Sequence, residues 1–149
     1  MIELIATVTI TASSVLLFGY WFRYTCLLIL SAKTTRDFAG EVATANQLGF
    51  LEVQSQLRAN AADLGRLCDV LDRDYAVLAK LMQQAGVSSA EASSIEKTML
   101  SINYHLTRAW YRVSSRVSAA AARQALEEMS MVVAHFASIM GEQTAGATA

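Results

Sequence analysis

The stretch LIATVTITASSVLLFGYWF, Leu4–Phe22, carries no charged side chain, and Arg23 is the only charge between Glu3 and Lys33. A helix rises about 1.5 Å per residue and a bilayer core takes roughly 20 apolar residues to cross, a length Leu4–Phe22 nearly reaches and Leu4–Leu30 exceeds. The chain is therefore expected to open with a transmembrane anchor, assigned to residues 1–32. A cleaved secretory signal has a basic start, a shorter apolar core and a small-residue cleavage site. Here Glu3 precedes the apolar run and Tyr20, Trp21, Phe22 and Arg23 end it, the pattern of an uncleaved anchor.

Arg23, Lys33 and Arg36 all lie on the C-terminal flank. The positive-inside rule then predicts a single-pass protein of the cell (inner) membrane with its N-terminus outside and the bulk of the chain cytoplasmic. Tyr20, Trp21, Phe22 and Tyr24 are expected at the headgroup level, where a ring with a polar edge is most at home. Beyond that belt the run containing Leu27, Leu28 and Leu30 would emerge into water. Either the helix sits deeper and Arg23 snorkels to the inner headgroups, or the run packs against another protein at the membrane surface. The lipid bilayer is thus one expected partner, and other integral membrane subunits or copies of the chain are another.

Working outward, 149 residues leave room for the anchor and one small domain. A net charge of −1 provides no basic field for nucleic acid. Cys26 and Cys68 are too few and too far apart for a disulfide framework or a metal site.

The chain has no proline, so long uninterrupted helices are permitted after the anchor. With Phe50 at heptad position a, Leu57, Leu64, Leu71 and Leu78 also fall at a, and Val53, Asn60, Leu67, Asp74 and Leu81 fall at d. A regular two-stranded seam would bury both Asn60 and Asp74, which suits a drifting bundle seam better. The pattern predicts one helix over 33–85, stopped at Gly86 in the left-handed C′ role. Ser88 with Glu91, and Ser93 with Glu96, have capping-box spacing, so a return helix is expected over 89–140 after a turn at 86–88.

On the return helix Ile95, Met99, Ile102, Leu106, Ala109, Val113, Val117 and Ala120 form one apolar stripe, and Leu126, Met129, Val133, Phe136 and Met140 form a second, out of phase with it. The phase is expected to change within Ala119–Ala122. Residues 141–149 are small and polar, the composition of a flexible tail. The fold class is thus all-α: an N-terminal transmembrane helix followed by a long antiparallel helical hairpin over 33–140. In the hairpin, Asp69 would lie beside His105, Asp63 beside Arg112 and Glu52 beside Arg123. Kinks near Asn60 and Ala120 would fold the same arms into a compact four-helix bundle.

No phosphate loop, nucleophile elbow, C-x-x-C or H-E-x-x-H is present. His105 and His135 lack Glu or His at helical ligand spacing, and the anchor has no imidazole for a haem, so no metal and no cofactor is expected. Asp69, Asp72 and Asp74 read as a solvated acidic face. The remaining feature is a basic ridge, Arg108, Arg112 and Arg116, with Trp110 and Tyr111 interleaved. It reads either as a docking strip for a partner or as a solvated face paired across the hairpin.

The expected function is that of a non-enzymatic accessory or scaffold subunit of a larger membrane complex, acting through its helical cytoplasmic domain. The alternatives are a membrane-bound helical sensor or signal relay, a self-assembling coiled-coil scaffold, and a subunit lending His105 and Asp69 to a partner's chemistry.

Overall fold

The computed structural model describes residues 1–32, 38–60, 63–85 and 91–147. All regular structure among them is α-helical: α1 (Ile2–Ser31), α2 (Ala39–Ala45), α3 (Phe50–Arg58), α4 (Leu64–Gln84), α5 (Glu91–Ser114) and α6 (Ala119–Ala147). The chain divides into two compact units, Met1–Ala32 and Lys33–Ala149.

In the first unit α1 is long and apolar enough to cross a membrane, and none of its most apolar window is buried inside the protein. Four of its threonines bond back to the helix itself. The hydroxyls of Thr7, Thr9 and Thr11 each donate to the carbonyl four residues back at 2.8 Å, and that of Thr25 does so at 2.9 Å. Such bonds satisfy a hydroxyl without water.

In the second unit the first arm is three helices, not the single helix expected over 33–85. The break after α2 is a Schellman turn. Gln47 takes φ 54°, its N–H donates to Thr44 O, and the N–H of Leu48 reaches back to Ala43 O at 2.9 Å. The break after α3 falls on Asn60, at φ 62°. Asparagine tolerates the left-handed region because its short polar side chain bonds locally, so the residue that disturbs the heptad also ends the helix. Asp63 then caps α4, its Oδ1 accepting from the Arg66 N–H at 3.0 Å. The expected turn at 86–88 lies outside the described residues.

The return arm also breaks, at Ser115–Ser118, just before the predicted phase change. Ser115 and Ser118 turn their hydroxyls to local backbone groups and compete with helix continuation. The expected flexible tail at 141–149 is a second correction, because α6 continues to Ala147. Gly141 sits within it against Phe38, where a Cβ would come within 2.2 Å of the Phe38 Cβ. This close approach holds α2 against α6.

Helix α6 is the hub of the second unit, packing against α2, α3, α4 and α5. Its second-stripe residues Leu126, Met129, Val133, Phe136 and Met140 are buried, along with Ala122, Ala125 and Ala137, which permit close approach. From the first arm Phe50, Val53, Leu57, Leu67, Leu71 and Leu78 complete the core. Asp74 is buried with them, and its Oδ2 accepts the Gly49 N–H at 2.7 Å, capping α3 from another helix. The d-position acid that a coiled-coil seam could not tolerate is thus paired with a helix N-terminus.

Candidate interaction surface

The inner face of α5 is unusually polar. Asn103 Nδ2 and Thr107 Oγ1 donate to the buried Glu128 Oε1 of α6 at 2.8 and 3.2 Å, and Glu96 Oε1 lies 2.8 Å from His135 Nε2. These pairs show that α5 and α6 run antiparallel. Toward α4, Tyr104 stacks on Tyr75 with ring centroids 4.0 Å apart, and the Tyr75 and Ser101 hydroxyls share a hydrogen bond of 2.7 Å. Arg108 Nε donates to both oxygens of Asp72, at 2.7 and 2.6 Å, and Tyr104 Oη donates to Asp72 Oδ1 at 3.0 Å. No described Cα of α4 comes within 8 Å of one of α5, so long polar and aromatic side chains span the gap.

Burial and the Asp72 charge push the Tyr104 hydroxyl well above its ordinary range, so it stays protonated and donates. Burial, reinforced by Asp72, pushes the Cys68 thiol up to about 11. The hydrogen bond to Asp72 holds Arg108 charged.

These directional bonds fix the roll of α5, and the consequence is an inverted amphipathic helix. The first stripe of the return arm faces outward: Ile95 is 62% exposed, Ile102 47%, Leu106 54% and Val113 57%, with Trp110 at 57% along its edge. Leu100, Asn103, Tyr104, Thr107, Tyr111 and Ser114 face inward instead. The out-of-phase stripes thus have opposite fates, the second forming the core and the first remaining open.

The predicted partner-binding residues separate along the same line. Trp110, Arg112 and Arg116 are exposed, whereas Tyr111 is buried and Arg108 is turned to Asp72. The acidic group is not uniformly a solvated face, since Asp72 holds Arg108 and Asp74 caps α3. Of the pairings expected across a hairpin, Glu52 instead has Arg66 at 3.7 Å, and Asp63 caps its own helix. In α1, Tyr20, Trp21, Arg23, Tyr24, Leu27 and Leu28 are exposed, and Phe22 and Leu30 are half-buried.

Surface grooves flank α6. One of about 290 Å³ lies between α3 and α6, where Arg58 and Glu127 face it, and one of about 400 Å³ lies between α2 and α6 beside Phe38 and Gly141. Among the described residues no cluster of three or more metal-ligating side chains occurs. The residues of the α5 face appeared in the sequence as stripe and ridge, but no periodicity signalled the Asp72–Tyr104–Arg108 network that turns the stripe outward. Comparison with protein families, characterised proteins and solved structures finds no match for this chain, so its own residues carry the functional argument.

Proposed function

We propose that this is a non-enzymatic, single-pass membrane protein that serves as an accessory or scaffold subunit of a larger membrane assembly. The observation that carries the reading is the outward apolar face of α5. Four large aliphatic side chains in a row, edged by Trp110 and followed by Arg112 and Arg116, have the composition of an interaction surface with an aromatic anchor. In this reading α1 holds the chain in the inner membrane with its N-terminus outside, and the positive flank keeps the helical unit in the cytoplasm. Tyr20, Trp21 and Tyr24 sit at the headgroups, with Arg23 and the Leu27–Leu30 run at the inner boundary.

The test is recovery of the tagged full-length protein from native membranes in mild detergent, in parallel with the doubly substituted Ile102→Glu/Leu106→Glu chain. The expected result is an assembly larger than one chain that the substitutions dissolve while helicity is retained. A monomer in both cases, with no protein or lipid bound to α5, would overturn the proposal.

A further inference from the structure

The outward stripe of α5 keeps strict heptad order: Ile95, Met99, Ile102, Leu106, Ala109 and Val113 follow at alternating steps of four and three, all exposed but Met99, which is half-buried. Such a spacing is suited to another helix, because a 3.5-residue period keeps one seam against one partner. A lipid surface asks only for a broad apolar arc and carries no such register. Helix α5 cannot roll to bury the seam itself, since Asn103, Thr107, Tyr104 and Arg108 pin its opposite face to Glu128 and Asp72.

We infer that the occupant is α5 of a second copy of this chain, packed antiparallel about a two-fold axis passing beside Tyr104. The inference rests on the interaction-subunit reading above and names the partner of that surface. Three properties of the seam favour it. The first is size. In the antiparallel register Met99 of each copy faces Ala109 of the other, Ile95 faces Val113, and Ile102 faces Leu106, so the longest side chain of the seam meets the smallest. A parallel pair would set Ala109 on Ala109 and leave a void, while Met99 on Met99 crowds a layer three positions earlier in the seam.

The second property is charge. Arg112 lies at the C-terminal end of α5 and Arg116 just past it, both exposed, whereas Glu96 and Lys97 lie toward its start. A parallel pair gathers four exposed arginines at one end, whereas an antiparallel pair places each arginine pair beside the other copy's near-neutral end, with helix dipoles opposed. The third is area. From 95 to 113 the seam runs roughly 27 Å at about 1.5 Å per residue. Covering it removes on the order of 600 Å² per copy, at the lower edge of specific interfaces, and confinement of both copies to one membrane raises their effective concentration.

The experiment uses the full-length protein in lipid nanodiscs and mild detergent. Mass by light scattering is combined with short-span cysteine cross-linking between differently tagged copies bearing Ile102→Cys and Leu106→Cys, against a control carrying only the native cysteines. The expected result is a dimer in which 102 joins 106 across copies far faster than 102 joins 102. The Ile102→Glu/Leu106→Glu chain is expected to dissociate more than roughly 100-fold more readily, because a charge is buried without a partner in each layer. Its helicity should be unchanged, because both positions face outward in one copy.

Preferential 102-to-102 linkage would overturn the antiparallel register, and a dimer indifferent to the Glu substitutions would overturn the surface. A monomer whose α5 face binds a different protein, lost on Glu substitution, would overturn the second copy yet keep the interaction-subunit reading. A blue shift of Trp110 on anionic vesicles, without dimerisation, would assign the face to lipid instead. A monomer that binds neither protein nor lipid through α5 would overturn both readings.

Discussion

Asp74→Ala tests the least expected contact of the fold, a buried carboxylate on α4 capping α3. Its Oδ2 accepts the Gly49 N–H at 2.7 Å, Oδ1 is buried without a hydrogen-bond partner, and Arg73 Nε lies 3.8 Å from Oδ1. Removal takes away this cap and leaves the part-buried Gly49 N–H without its acceptor, so the loss should be about 1–3 kcal/mol. Asp74→Asn keeps a carbonyl acceptor and sheds the cost of burying a charge, so it should stay within about 1 kcal/mol of the parent. Burial raises the Asp74 pKa above its ordinary 3.8, more than the Gly49 and Phe50 N–H groups and Arg73 lower it. The folded state therefore binds this proton more tightly than the unfolded state. The contribution is full below pH 3.8 and falls as pH rises through the higher folded value, after which it is level. Urea unfolding of the full-length protein in mild detergent, followed by circular dichroism and Trp110 emission between pH 3 and 8, reads both effects. Wild-type stability in the Ala variant, or an Asn variant that keeps this pH slope, would refute the reasoning.

Gln47 holds φ 54° without the freedom of glycine, so Gln47→Gly should raise the urea midpoint by an amount equivalent to about 1 kcal/mol. Gly141→Ala sets a Cβ against that of Phe38 and should destabilise by about 1–3 kcal/mol; adding Phe38→Gly, which removes the Cβ it meets, should cost less than the two losses summed, read as a double-mutant cycle of unfolding energies. With its thiol pushed up to about 11 by burial, Cys68 should alkylate slowly in the folded protein, its rate still climbing above pH 9 where an ordinary thiol levels off, as mass spectrometry of trapped peptides would show.

Much of this arrangement was legible residue by residue. The absence of proline and the 3.5-residue recurrence of Phe50, Leu57, Leu71 and Leu78 marked helices and their inner face, and those residues are buried. The awkward d positions were informative too. Asn60 ends α3, and Asp74 caps it from α4, so each apparent flaw in a continuous seam marks a real departure from one. The break after α2 was not legible, because Gln47 carries no left-handed signature and is held there by the Schellman bonds of its neighbours. Helix α6 running past Gly141 was hidden for a similar reason: the small polar composition of 141–147 reads as a tail until Phe38 packs onto it. The basic ridge read from the sequence grouped Arg108 and Tyr111 with Trp110, Arg112 and Arg116, but Arg108 and Tyr111 face inward while the other three are exposed.

By itself the sequence determined that the chain is helical, that its first helix is long and apolar enough to cross a membrane, and that the return arm carries two apolar stripes out of phase. Only the tertiary structure decided which stripe builds the core. Periodicity reports that a helix face is apolar, not whether the atoms covering it belong to the same chain. That choice was made by the polar contacts of Asn103, Tyr104, Thr107 and Arg108 with Glu128 and Asp72, which come from residues 21 to 36 positions away and become neighbours only when α4, α5 and α6 pack. Directional bonds fix a helix's roll more tightly than apolar burial does, and here they turn the most regular stripe of the chain outward.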